Sequence, residues 1–304
     1  MSDYALSLAN DMVIMSFLAL AAYVLLLVGR VSFGLQALFG LGAYAAGAAT
    51  AMWAWPLPWA LLMATLLGGA VSWLIAWPTM RLSGLHYAVA TLAFAEMARI
   101  SLNWLTWQVQ TDDGWVGPNG VEGFRNIRWL LTNDVSDFAY FGLCLTALLL
   151  TFWLQRHLEH QRLGLAWRMV GHDDGLSQHC GVDPQAMRLR AAAWAGALAA
   201  LGGALYAHRT TYIEPAIFQP MLGVHAVGYA LIGGMGTPLG PLLGVGFDLG
   251  LLNAIHGLET WRMVVFGGLV ALFLRIKPRG LLDEDWLNRW MHRMKKRTAN
   301  QETS

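Results

Sequence analysis

The chain has 304 residues, 56% of them hydrophobic and 13% charged, where a soluble domain carries about 25% charged. That balance excludes a water-solvated globule, and a formal net charge of +1 excludes a basic nucleic-acid-binding surface as the main theme. Cys144 lies in an apolar run and Cys180 in a polar one, too few and too differently placed for a disulfide or a cysteine-rich zinc site.

The opening MSDYALSLAND lacks the basic region of a cleaved signal segment, so the first apolar run is expected to be a retained span. A bilayer core takes about 20 mostly apolar residues per helix. On that ruler spans are expected near 12–29, 32–53, 58–77, 85–106, 137–155, 189–208, 222–236, 238–255 and 261–275. The expected fold class is all-α, a polytopic transmembrane helical bundle of about nine spans, with eight to ten the range. The seventh and eighth are short and rich in Gly and Pro, so either can be a broken or re-entrant helix.

The second expected span reads SFGLQALFGLGAYAAG. Its small residues, Gly40 and Gly42 among them, let backbones approach closely or edge a path, while Gln36 and Tyr44 offer polar groups to a small polar solute. Trp53, Trp55 and Trp59, then Trp104 and Trp107, are placed as interfacial anchors. In ATLAFAEMARI, Glu96 and Arg99 stand three apart on one helix and can neutralise each other. A charge at mid-membrane costs about 2.5–3.5 kcal/mol, so a structural ion pair and a gating role both fit.

The longest interhelical loop, roughly 156–188, contains GHDDGLSQHC. The stretch from Gly164 to Pro184 can form helix with Ala166, Trp167, Val170, Leu176, Cys180 and Val182 as its apolar members, and Asp173 suits a helix N-terminus. A loop wrapped on its own bundle and a docking face for a partner both satisfy that pattern. His157, His160, His172 and His179 lack metal-ligand spacing, and GxxxxGK[ST], HExxH and GxSxG are absent, so no metal site, nucleotide cradle or nucleophile is expected in this chain.

Further on, LIGGMGTPLGPLLGVG packs Gly233, Gly234, Gly236, Pro238, Gly240 and Pro241 too densely for a plain helix, and a local unwinding near a pathway is expected. His225 and Tyr229 form an i, i+4 pair, and Asp248 precedes Asn253 in the next span; structural and functional readings of these stay open. The terminal DEDWLNRWMHRMKKR spaces Trp286, Trp290 and Met294 by four, as in a basic amphipathic helix lying on the inner leaflet; a solvated tail is the alternative.

With nine spans and the N-terminus outside, Arg30, Arg81, Arg156, Arg162, Arg168, Arg188, Arg190 and the basic residues from Arg275 to Arg297 collect on one face. Arg125, Arg128, Arg209 and Arg262 remain on the other. The bias places the C-terminus in the cytoplasm.

With these stretches together, the chain resembles the permeases of ATP-binding-cassette importers for branched-chain amino acids, the LivM-like half of a permease pair. The resemblance runs from about Ser32 to Leu282 through Ser32-Phe-Gly34, Phe39-Gly40-Leu-Gly42-Ala-Tyr44, Ala90-Thr91-Leu-Ala-Phe94-Ala-Glu96 and Gly117-Pro118-Asn119-Gly120. It continues through Gly202-Gly-Ala-Leu-Tyr206-Ala, Gly233-Gly-Met-Gly236-Thr-Pro-Leu-Gly240-Pro241 and Lys277-Pro278-Arg279-Gly280-Leu281-Leu282. It implies a type II importer-like permease domain over 1–282, a cytoplasmic coupling helix at about 173–181 inside the loop 156–188, and a basic tail over 283–304.

By the same resemblance Arg168, His172, Asp173, Asp174, Leu176 and Gly181 would couple to an ATPase. Gln36, Gly40, Gly42, Tyr44, Glu96, Arg99, His225, Tyr229, Gly233, Gly234, Gly236 and Asp248 would border the translocation path. The implied partners are a homologous LivH-like permease subunit, two ABC ATPase subunits, an external solute-binding protein and the lipid bilayer of a bacterial inner membrane, with no nucleic acid. No cofactor is expected in this chain, which would be a transport subunit and not an enzyme, ATP and Mg belonging to the ATPases. Leu35 and His225 depart from the family pattern, as do His172 and Gly175-Leu176-Ser177. A urea or short-chain amide permease is the near alternative. An ion-coupled secondary transporter using Asp248, Glu96 and His225 is the distant one.

Overall fold

A computed structural model describes residues 3–111, 114–252 and 262–276. The chain divides into two compact units, Met1–Val227 and Gly228–Ser304. The first carries α1 (Asp3–Leu27), α2 (Leu35–Ala51), α3 (Leu57–Thr79) and α4 (Leu85–Trp104). Then come β1 (Val109–Thr111), β2 (Gly114–Pro118), β3 (Phe124–Arg125), the short α5 (Trp129–Thr132) and α6 (Asp137–His160). After α7 (Arg162–His172) and α8 (Asp174–His179), α9 (Pro184–Thr210) completes the helices lying wholly in this unit. The next helix, α10 (Pro220–Gly233), begins in the first unit and ends in the second, which adds α11 (Leu239–Val245), a π-helical segment Gly246–Leu252 and α12 (Arg262–Ile276).

Among the described residues each expected span overlaps a helical segment. Among the described residues four helices are long and apolar enough to cross a bilayer: Tyr4–Leu27, Leu57–Thr79, Asp137–His160 and Pro184–Thr210. The others coincide with α2, α4, α10, the α11 and π-helical run, and α12, each shorter or less apolar. Asn253, the Lys277–Leu282 stretch and the tail with Trp286, Trp290 and Met294 lie outside the described residues.

Within the first unit α9 is the hub, packed against α1, α2 and α3. Its run AAAWAGALAALGGALYA presents little beyond Cβ atoms and glycine, so neighbouring backbones come close enough to touch. A Cβ added at Gly42 of α2 would lie 2.2 Å from the Ala200 carbonyl oxygen, and one at Gly203 would lie 1.8 Å from the Phe39 oxygen. Specific polar contacts fix the register of this packing. The Ser72 hydroxyl donates to the Ala192 carbonyl at 2.6 Å, and the Tyr140 hydroxyl to Leu205 at 2.5 Å.

The two ends of this bundle differ. At one end Arg209 of α9 pairs with Asp11 of α1, and Thr50 meets His208 at 3.0 Å. The strands gather there as an antiparallel sheet in the order β1-β2-β3, joined through Phe124 to Ile213. No strand was expected in this chain: Val109, Trp115 and Val116 were hidden among loop residues. At the other end Arg30 donates to the Met80 carbonyl, Gly29 abuts Gly171 and Arg188 pairs with Asp174. Arg30, Arg168 and Arg188, three of the positive residues that sequence reading assigned to one face, share this second end, the loop end. Trp53 packs against Trp55 in a tilted arrangement and against Trp107 edge-on, with ring centroids 5.9 and 6.0 Å apart, at the sheet end.

The stretch between Gly164 and Pro184, read as able to form helix with Asp173 suited to a helix N-terminus, holds two helices, most of α7 and the whole of α8. Asp173 is extended (φ −155°, ψ 115°), and its carboxylate accepts from the Gly175 and Leu176 amides at 2.8 and 3.1 Å. It therefore caps α8 rather than continuing α7. Trp167 and Val170 of α7 are buried, turned to their own bundle, and only Leu176 of the expected apolar face stands open as a large side chain, 62% exposed.

Candidate functional site: a polar seam and a two-helix loop

One face of α2 carries Gln36, Gly40 and Tyr44, spaced by four. All three meet the segment 215–223. Gly40 lies against the Phe218 ring, Tyr44 and Phe218 have ring centroids 6.3 Å apart, and Gly223 faces the Gln36 amide. Gln36 is fully buried; its Nε2 donates to the Phe33 carbonyl at 2.8 Å, while its Oε1 has no partner. The Tyr44 hydroxyl is likewise buried and unpartnered. Two such groups on one face are unusual, because an unpaired buried polar atom costs about 1–3 kcal/mol. Gly42 points elsewhere, to α9, and serves packing.

On α4 the Arg99 Nε and Nη2 both donate to one Glu96 oxygen, at 3.0 and 2.8 Å. The pair is about one-third exposed. Thr91, one turn earlier, accepts from the Phe33 amide at 3.1 Å and ties α4 to the start of α2. His225 gives its Nδ1 to the Met221 carbonyl at 2.9 Å, one turn back on α10.

In the second unit the Tyr229 hydroxyl donates to Asp248 Oδ2 at 2.8 Å, and Asp248 is fully buried. Asp248 sits in the π-helical segment, a backbone form concentrated at functional sites. The Gly-rich stretch is a turn between α10 and α11, containing Gly236 and opened by Gly234 at φ +101°. Gly233 touches the Gly240 backbone, and Gly244 touches Tyr229. The expected unwinding is this turn together with the π-helical segment.

The loop residues divide between the two helices. Arg168 on α7 donates to Glu159 at 2.9 Å. Glu159 also accepts from Tyr23 at 3.0 Å and Gln155 at 2.7 Å, and Gln155 accepts from Trp194. The network knots α1, α6, α7 and α9 together. His172 closes α7 and is exposed; Gly181, at φ +78°, ends the α8 turn with nothing within 4 Å of an added Cβ. Asp174 pairs with Arg188 of α9. Sequence reasoning gave Glu159 and Gln155 no role and read Arg188 only as part of the charge bias; the spacing of four between Gln155 and Glu159 was the signal available, whereas no helical spacing links Glu159 to Arg168 or Asp174 to Arg188. Among the described residues no group of His, Cys, Asp or Glu could hold a metal ion, and Cys144 and Cys180 are free.

The profile of the family described as branched-chain amino acid transport system / permease component matches residues 4–274. The chain belongs to that family. It is 27% identical over 246 residues to the high-affinity branched-chain amino acid transport system permease protein LivM of Escherichia coli (strain K12), covering 73% of this chain and 56% of that protein. It is 28% identical, with the same coverage, to the protein of that name from Salmonella typhimurium (strain LT2). The chain thus spans about half the length of the curated relatives it matches. No solved structure matches it. Family and apolar helices together make the permease a multi-pass membrane protein.

Proposed function

We propose that this permease is the transmembrane subunit of an ATP-driven importer for branched-chain amino acids or similar small polar solutes. It would work beside a homologous permease subunit, two ATPases that hold ATP and Mg, and an external solute-binding protein. The observation that carries the reading is α8, a short helix presented to solvent at the arginine-rich end with Leu176 standing out. A loop serving only to join α6 and α9 would need a few residues, and lipid would not favour its acids and amides. The excess of Arg at that end supports a cytoplasmic loop, hence about nine spans with the N-terminus outside and the C-terminus inside.

The path is assigned to the α2 face. The Gln36 oxygen and Tyr44 hydroxyl are covered by the 215–223 segment, and displacing that segment would free an acceptor and a hydroxyl for a solute's polar groups. Binding energy can shift such an equilibrium only by its difference between the two states, and α8 is where ATPase closure would enter. The test is uptake into vesicles holding the chain with candidate ATPases from neighbouring genes: uptake should need ATP and all subunits. Buried Asp248 with Tyr229 favours a second reading, ion-coupled transport by this chain alone. Uptake driven by a proton gradient without ATPases would select it.

A further inference from the structure

The loop between α6 and α9 is held by two attachments that lead to different helices. α7 is seated on α1 and α6: Trp167 and Val170 are buried, Gly171 touches the Leu27 backbone, and Arg168 reaches Glu159. α8 has no comparable seat. Of its six residues only Ser177 is buried, and its hydroxyl bonds within the helix, to Asp174. Among the described residues, Asp174 supplies the one side-chain ion pair between α8 and the bundle. Arg188 Nη2 donates to both of its oxygens, at 2.6 and 2.7 Å.

The two partners are unequally placed. The Arg188 side chain is 12% exposed and that of Asp174 47%, so a guanidinium fixed on the flank of α9 receives a carboxylate from outside. Arg30 is buried at the same end. Burial holds its pKa below the usual arginine value, the Arg188 charge adds to that effect and the Asp174 charge opposes it. The Asp174 charge thus acts on both guanidiniums, and withdrawing it removes that compensation in a partly desolvated place. Asp174 also stands in the first turn of α8, where a negative charge complements the helix dipole.

A change of backbone direction bounds α8 at either end. Asp173 breaks the helix on one side, and Gly181 takes a left-handed conformation in open space on the other. Between these joints, the ion pair is what links α8 to α9, and α9 is the hub on which α1, α2 and α3 pack.

We propose that the Asp174–Arg188 ion pair is the tie through which displacement of α8 is passed to α9, which makes Asp174 an internal positioning residue and not a contact for an ATPase. The proposal rests on the reading of α8 as the docking helix, and its test separates the two. In vesicles holding the complete transporter, Asp174→Asn and Arg188→Gln should each lower solute moved per ATP hydrolysed by about five- to tenfold, the lower part of the usual range for coupling between sites. Asp174→Glu, and the exchange Asp174→Arg with Arg188→Asp, should recover most of the loss. A contact role for Asp174 predicts that Arg188→Gln is silent and that the exchange does not rescue; either result overturns the tie.

The second arm uses the chain alone, in a Cys180→Ser background, with a spin label on Leu176→Cys. Asp174→Asn should raise the label's mobility, and Asp174→Glu should not. Unchanged mobility in Asp174→Asn overturns the tie whatever the chain transports. Increased mobility, together with failure of the wild-type complex to move solute, would sink the functional reading and leave the tie standing.

Discussion

Replacing Gly42 with Ala tests the claim that α9 is a hub whose neighbours touch its backbone. The added Cβ would lie 2.2 Å from the Ala200 carbonyl oxygen and 2.5 and 2.6 Å from its Cα and C atoms. All three are backbone atoms, so no side chain can rotate away, and α2 must part from α9 by about 1 Å in an interior packed as densely as a crystal. Overpacking of this kind costs about 1–3 kcal/mol, and the better helix propensity of Ala returns about 1 kcal/mol. A net loss of up to about 2 kcal/mol follows. Gly142→Ala on α6 is the control, since nothing lies within 4 Å of an added Cβ there, and it should gain up to about 1 kcal/mol. Unfolding in mixed micelles, followed by circular dichroism, reads the difference. Equal stability of the two variants would refute the close packing of α2 on α9.

Three further outcomes are expected. Tyr44→Phe removes an unpartnered buried hydroxyl, so stability should stay level or rise by up to about 1 kcal/mol while the rate of uptake falls; a fall in both would contradict a path role. Glu159→Gln removes the charge from a mostly buried carboxylate that accepts from Arg168, Tyr23 and Gln155, and should cost about 1.5–3 kcal/mol, read as faster hydrogen exchange in α7 with α3 unchanged. A double-mutant cycle on Tyr229→Phe and Asp248→Asn should give a coupling of about 1–3 kcal/mol, and additive effects would argue that their 2.8 Å bond contributes nothing.

The helical character of the apolar runs was legible because such a run has one stable form in lipid, a helix with its backbone bonds satisfied internally. Charge bias likewise grouped Arg30, Arg168 and Arg188, which lie together at the loop end. The break at Asp173 could be read only as a helix start, not as the end of α7, because the same residue both caps one helix and stops another. Gln36, Gly40 and Tyr44 share a face by their spacing, which the sequence shows; that the face meets 215–223 depends on long-range packing that no local pattern encodes. The partners of Glu159 and Arg188 went unseen for a related reason, as each residue finds its partner across a turn or between helices. The small sheet escaped notice because its strands of two to five residues carry too little alternation to register.

Cross-linking the assembled transporter tests the central claim most directly. A photoreactive group at Leu176, on α8, should capture an ATPase subunit in an ATP-dependent manner, while the same group at Val121, exposed at the sheet end, should capture none. Capture of an ATPase from Val121, or none from Leu176 in a complex that transports, would contradict the account.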